Sequence, residues 1–95
     1  MHKIENISLL EPYKILCHFT NGEKRVLDLA SSLNDKYSKK IFSENQFNKV
    51  KLGSLGEIYW EGIGEIRGLN GEIEPCNYDI SPEFAYFNSK FFESF

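Results

Sequence analysis

Cysteine is scarce in this chain: Cys17 and Cys76 are the only two among 95 residues. Two thiols are too few for a disulfide framework, so a reducing cytosol is the expected compartment. Long apolar runs are missing as well. None approaches the roughly 18 residues that cross a bilayer, and the opening Met-His-Lys-Ile-Glu lacks a secretory pattern. Positive charge is also in deficit. Eleven Lys and Arg against 14 Asp and Glu give a formal charge of −3, which argues against direct nucleic-acid binding through a basic field. No linker, internal repeat or low-complexity stretch interrupts the sequence. What is present is apolar material: 41% hydrophobic and 15% aromatic residues. That composition excludes intrinsic disorder and supplies one core, so a single domain over residues 1–95 is expected.

Charge is distributed unevenly. Residues 1–50 hold eight basic and six acidic side chains, net +2; residues 51–95 hold three and eight, net −5. Between Glu57 and Glu83 seven acids face one base, Arg67. Such a segment is either a solvated edge that keeps the protein soluble or an acidic face for a basic partner.

The patterning predicts an α+β fold: an antiparallel β-meander, short helices, further hairpins and a C-terminal helix. Lys3–Leu10 is an apolar run closed by Glu11-Pro12, a turn signal. Tyr13, Ile15, Cys17 and Phe19 alternate onto one strand face, with Lys14, Leu16 and His18 on the other. Asn21-Gly22 then predicts a two-residue type I′ turn, which places Cys17 opposite Val26 and Leu16 opposite Leu27. In that register both faces are partly apolar, so some packing is expected on each. Leu29 and Leu33 share one side of a short helix. Ser43 and Gln46 have capping-box spacing, which predicts a helical turn beginning near Glu44. Ile58 and Trp60 share a strand face. A second pair, Asn70-Gly71, predicts another two-residue loop, with Arg67 opposite Glu74. Pro75 ends that ribbon or puts it at a sheet edge. Ser81-Pro82-Glu83 is a helix start, with a hydroxyl cap, proline at the first position and an acid in the first turn. Phe84, Phe87 and Phe91 follow at helical spacing.

Chemistry is harder to find. Cys17 and His18 point to opposite strand faces, and no second pair at zinc-site spacing exists, so no metal site is expected. His2 is expected to fray at the terminus. There is no Gly-x-Ser-x-Gly elbow and no evident base for Cys17. Acid pairs arise from composition alone. Gly62, Gly64 and Gly68 have the wrong spacing for a dinucleotide fingerprint and an acid in the loop; they mark a bulge or turn beside a strand. Neither a catalytic residue nor a cofactor is therefore expected.

Aromatics exceed what so small a domain hides easily, and Phe87, Phe91, Phe92 and Phe95 crowd the last nine positions. They either close the second face of the sheet through a terminal helix or form a contact patch. In order, Phe19-x-Asn21-Gly22, Val26-x-Asp28-Leu29, Phe47-x-x-Val50, Ile58-x-Trp60 and Asp79-Ile80-x-Pro82-Glu83-x-x-Tyr86 resemble the domain of unknown function 2442 family over residues 3–87. Residues 61–78 would then be an inserted hairpin. The resemblance implies a compact bacterial α+β domain without established catalytic residues, and a setting like one half of a toxin–antitoxin gene pair.

The expected function is accordingly a small cytosolic interaction module. Tyr59, Trp60, Tyr86 and Phe87 are its candidate apolar contacts, with Glu61 and Asp79 as a polar rim. Asp79 has a rival role, satisfying backbone donors ahead of the Ser81-Pro82 helix. The expected partner is a small, basic protein, with a homodimer through the Phe-rich end as a further possibility. The alternative is a ligand-binding or enzymatic domain whose pocket lies between the sheet and residues 43–50, with His18 and carboxylates converging in it.

Overall fold

The computed structural model describes residues 2–43 and 45–92. The expected start of a helix at Glu44, and Phe95 in the terminal aromatic cluster, lie outside the described residues. The fold is α+β. Strands β1 (Ile4–Leu10), β2 (Lys14–Phe19) and β3 (Lys24–Asp28) form the expected meander, followed by helices α1 (Leu29–Ser32) and α2 (Ser38–Ser43). A 3-10 turn at Phe47–Lys49 leads into β4 (Lys51–Leu52), β5 (Ile58–Arg67) and β6 (Ile73–Ile80). Helix α3 (Pro82–Asn88) and a two-residue strand β7 (Lys90–Phe91) complete the described chain. Two antiparallel sheets result, ordered β1-β2-β3-β7 and β4-β5-β6. No helix among the described residues is long and apolar enough to cross a membrane.

One apolar cluster joins these elements. Ile15, Cys17, Phe19 and Leu27 enter it from the first sheet, Ile58, Trp60 and Ile80 from the second, and Ile41, Phe47 and Ala85 from between them. The period-2 alternation read in β2 explains its share: Ile15, Cys17 and Phe19 are buried while Lys14, Leu16 and His18 are half-buried. The opposite face of the first sheet is covered only in part: Lys14, Leu16, His18 and Val26 are half-buried there. Lys14 and Val26 line a shallow hollow there, bordered by Ser31, Asn88 and Lys90. Some packing was expected on each face, and the half-burial of those four side chains agrees with it.

The register of the first hairpin is corrected. Leu16 pairs with Val26 and Cys17 with Arg25, one step from the expected register. The closing bond runs from Phe19 N–H to the Glu23 carbonyl at 2.9 Å, leaving Thr20-Asn21-Gly22 as a three-residue loop. Only Gly22 has positive φ, at 92°, whereas a type I′ turn needs it at both central positions. Asn21 uses its side chain instead: its Oδ1 accepts from Glu23 N–H at 3.0 Å. The second hairpin also closes over three residues. Gly68 N–H donates to the Glu72 carbonyl, Gly71 sits at φ 78°, and Arg67 faces Ile73. The expected Arg67–Glu74 pair therefore does not form. Pro75 does lie on an edge strand, as read.

Around residues 38–47 the expected capping box is also overturned. Asp35 accepts from Ser38 N–H at 2.7 Å, which starts α2 earlier and seats Ile41 in the core. Ser43 sits at the end of that helix, and its hydroxyl donates back to the Lys39 carbonyl at 2.8 Å. Asn45 at φ 54° then takes the left-handed conformation that asparagine tolerates better than most residues.

Candidate interaction surfaces

The six predicted contact residues fall on three kinds of site. Trp60 is 0% exposed; its Nε1 donates to the Phe47 carbonyl at 3.4 Å and its ring leans toward Tyr78. It is the centre of the core rather than a contact, which corrects its assignment. Strand alternation put Ile58 and Trp60 on one face, and that face is the inner one.

Tyr59, Glu61 and Asp79 occupy the outer side of the second sheet. Tyr59 is half-buried between its strand partners Lys51 and Asp79. Glu61 accepts from Lys51 Nζ at 2.8 Å, and this raises the lysine's pKa. Asp79 is exposed and has no hydrogen bond or ion pair among the described residues. Capping of α3 belongs to Ser81, whose hydroxyl accepts from Phe84 N–H at 3.1 Å, so the rival backbone role for Asp79 is not realised. Asp79 instead borders a groove of about 490 Å³ with Asp35, Tyr78, Ser81 and Phe84. Within it the Tyr78 hydroxyl donates to Asp35 Oδ2 at 2.7 Å. Burial raises the Tyr78 pKa, and the bond to Asp35 adds to the rise. For Asp35 burial alone would push the pKa up. The donors from Tyr78 and Ser38 outweigh it and hold the carboxyl below its ordinary value.

Tyr86 and Phe87 belong to a different surface, built where α3 meets the edge of the first sheet. Helix α3 ends at Asn88 instead of running on to Phe91, because Ser89 is buried in extended conformation and tied to Arg25. Arg25 Nε donates to Ser89 Oγ at 3.0 Å and an Nη donates to the Ser89 carbonyl at 3.2 Å. Lys90 and Phe91 then pair with Val26 and Arg25, so the strand added to this edge is the chain's own. The Arg25 guanidinium lies 4.4 Å from the ring centroids of both Tyr86 and Phe91. Its other end donates to Glu23 at 3.1 Å. Glu23 also accepts from the Tyr86 hydroxyl at 2.6 Å, a bond that lowers the glutamate pKa and raises the phenol's. His2 stacks on Tyr86 at 3.5 Å, and its backbone N–H donates to Glu83 at 2.6 Å, so it is held rather than frayed. On this fixed base Phe87 and Phe91 are 73% and 65% exposed.

Arg25 and His2 were not anticipated as members. Arg25 does carry a sequence signal: it shares strand parity with buried Leu27, and a charge at an inward position needs partners. His2 carries none, since its position depends on α3 coming back to the N-terminus.

The remaining candidates are separate. A cleft of about 520 Å³ does lie near residues 43–50, between Leu9–Tyr13 and Asn45, Phe47 and Asn48. Among the described residues that line it His18 is absent, and Glu11 is the one carboxylate. Both cysteines are free thiols, and burial pushes the Cys17 pKa up to about 12, so its thiolate is not formed near neutral pH. No group of three His, Cys, Asp or Glu among the described residues is placed to hold a metal. Comparison of the chain with protein-family models, curated proteins and solved structures finds no match.

Proposed function

We propose that this chain is a protein-interaction module of the cytosol, and that Phe87 and Phe91 on the α3–β7 surface are its anchors for a small partner protein. One observation carries the reading. Two exposed aromatic rings stand on a base of Tyr86, Arg25, Glu23 and Ser89 whose side chains are already fixed by hydrogen bonds and stacking. Aromatic anchors on a preorganised base gain affinity because little side-chain freedom is left to lose on docking. Glu83 in the first turn of α3 gives the neighbourhood acidic character, which suits a basic partner. Tyr59 and Glu61 lie on the other sheet and belong to the polar surroundings of the module rather than to this anchor pair. The resemblance to the domain of unknown function 2442 family supports a two-gene setting, in which the partner is encoded alongside.

Affinity capture from the native host at endogenous levels tests this. The unaltered chain is expected to retain a stoichiometric small protein, and Phe87→Ser/Phe91→Ser to lose it while keeping its circular dichroism. Equal recovery by both chains, or recovery of the chain without any companion across growth conditions, contradicts the reading. For the two-gene setting, the neighbouring product should arrest growth when expressed alone and should be neutralised by co-expression.

A further inference from the structure

Among the described residues, the outer half of the β5–β6 hairpin has no strand partner on either side. Strand β4 pairs with β5 only at Ile58 and Tyr59, and pairing from Gly64–Cys76 to Arg67–Ile73 continues as a two-stranded ribbon. A bulge between Trp60 and Gly64 lets Ile63 join Trp60 in the core, and beyond it the ribbon leaves the body. Ile66 and Ile73 are more than half exposed there, and Leu69 at the tip is fully exposed. The chain as a whole is less compact than average. The Cα radius of gyration is 14.0 Å, against about 12.4 Å for a compact chain of this length. The exposed area is 6337 Å², against about 5600 Å² for a compact monomer of this mass.

Charge says what covers the arm. Residues 61–79 carry five acids against Arg67, net −4, and residues 36–51 carry five lysines against Glu44, net +4. Two pairs join these segments at the arm's root, Lys40–Glu65 at 3.2 Å and Lys51–Glu61 at 2.8 Å. Lys36, Lys39 and Lys49 remain exposed without an ion pair among the described residues, and so do Glu72 and Glu74 on the arm. We propose that the β5–β6 arm docks on the lysine-bearing α2 segment of a second copy of this chain, each copy giving one arm and receiving one. Reciprocal exchange closes the assembly as a two-fold dimer and neutralises equal and opposite charges. It is independent of the α3–β7 surface.

Sedimentation equilibrium of the full chain, from micromolar to millimolar concentration, is the test. The expected result is a monomer–dimer equilibrium that weakens with added salt. Glu72→Lys/Glu74→Lys and Lys36→Glu/Lys39→Glu/Lys49→Glu should each weaken self-association more than about tenfold. Mixing the two charge-reversed chains should restore a dimer, which no folding defect can mimic. Ile66→Ser/Leu69→Ser should also give a monomer. A monomer throughout overturns the proposal. So does a dimer that survives the charge reversals, or one that only Phe87→Ser/Phe91→Ser dissolves, which would place self-association on the aromatic surface instead.

Discussion

The two Asn-Gly hairpins share a turn and little else. In β2–β3 and in β5–β6 a three-residue loop closes on a glycine in the left-handed region, and the register is set the same way. The first ribbon is flanked by β1 on one side and β7 on the other, and its inner face meets the core. The second keeps such support only as far as Trp60 and Ile63, then extends into solvent with Ile66, Leu69 and Ile73 uncovered. Turn chemistry decides how a ribbon closes. Its neighbours decide whether it shares in the cooperative core or stands as an appendage, since an isolated two-stranded hairpin is marginal in water.

The comparison can be broken most forcefully at its root. Trp60→Ala removes the largest buried side chain and is expected to cost about 3–5 kcal/mol, read as a fall in the urea midpoint; a shift under half of that would mean the second sheet is not part of one core. Next in size are the turn glycines. Gly22→Ala forces a Cβ into φ 92° and should lower global stability by about 1–2 kcal/mol. Gly71→Ala imposes the same strain at φ 78°, but its effect should be confined to faster exchange of arm amides, with the global midpoint nearly unchanged. Equal global losses at both glycines would abolish the distinction between the ribbons. Ser81→Ala, which deletes the α3 cap, should cost about 1 kcal/mol by the same denaturation measurement.

A smaller effect sharpens the contrast through pH. Tyr78 and Tyr86 have raised phenol pKa values in the fold, Tyr78 mainly by burial and Tyr86 by its bond to Glu23. Their contribution is complete below the ordinary phenol value near 10 and is lost as pH rises through the raised folded values. Alkaline spectrophotometric titration should therefore show two of the five tyrosines ionising late. In acid the sign reverses. Glu23 and Asp35 have depressed values, so their contribution is present above the ordinary carboxylate range and lost as pH falls through the folded values. Tyr86→Phe should remove one late phenol while leaving the arm's exchange untouched.

Sequence reading located the meander, the Asp28–Leu33 helix, the Ile58/Trp60 face and the Ser81-Pro82-Glu83 helix start, because each rests on local periodicity or a local cap. It misplaced the register of both hairpins by one residue. Asn-Gly permits two- and three-residue loops; both hairpins close over three residues by a backbone bond, and in the first the Asn21 side chain also bonds forward to Glu23. The Ser43–Gln46 spacing lost to Asp35, a cap eight positions upstream of Ser43 that starts the helix where Ile41 reaches the core. Within the candidate surface, the aromatic surplus at the chain's end pointed to Tyr86 and Phe87, and Phe87 is indeed exposed. Trp60 was misassigned because composition counts aromatics without showing which way a strand faces. The Arg25–Ser89 contact spans 64 positions, and no local pattern announces a contact of that range.

Amide hydrogen exchange followed over a dilution series tests the central distinction between the supported and unsupported ribbons most directly. The account predicts that amides of β2, β3 and residues 58–60 are protected at every concentration, while residues 64–67 and 73–76 exchange rapidly when dilute and slow as concentration rises. Arm amides as slow as those of the body at the lowest concentration, with no dependence on dilution, would contradict it.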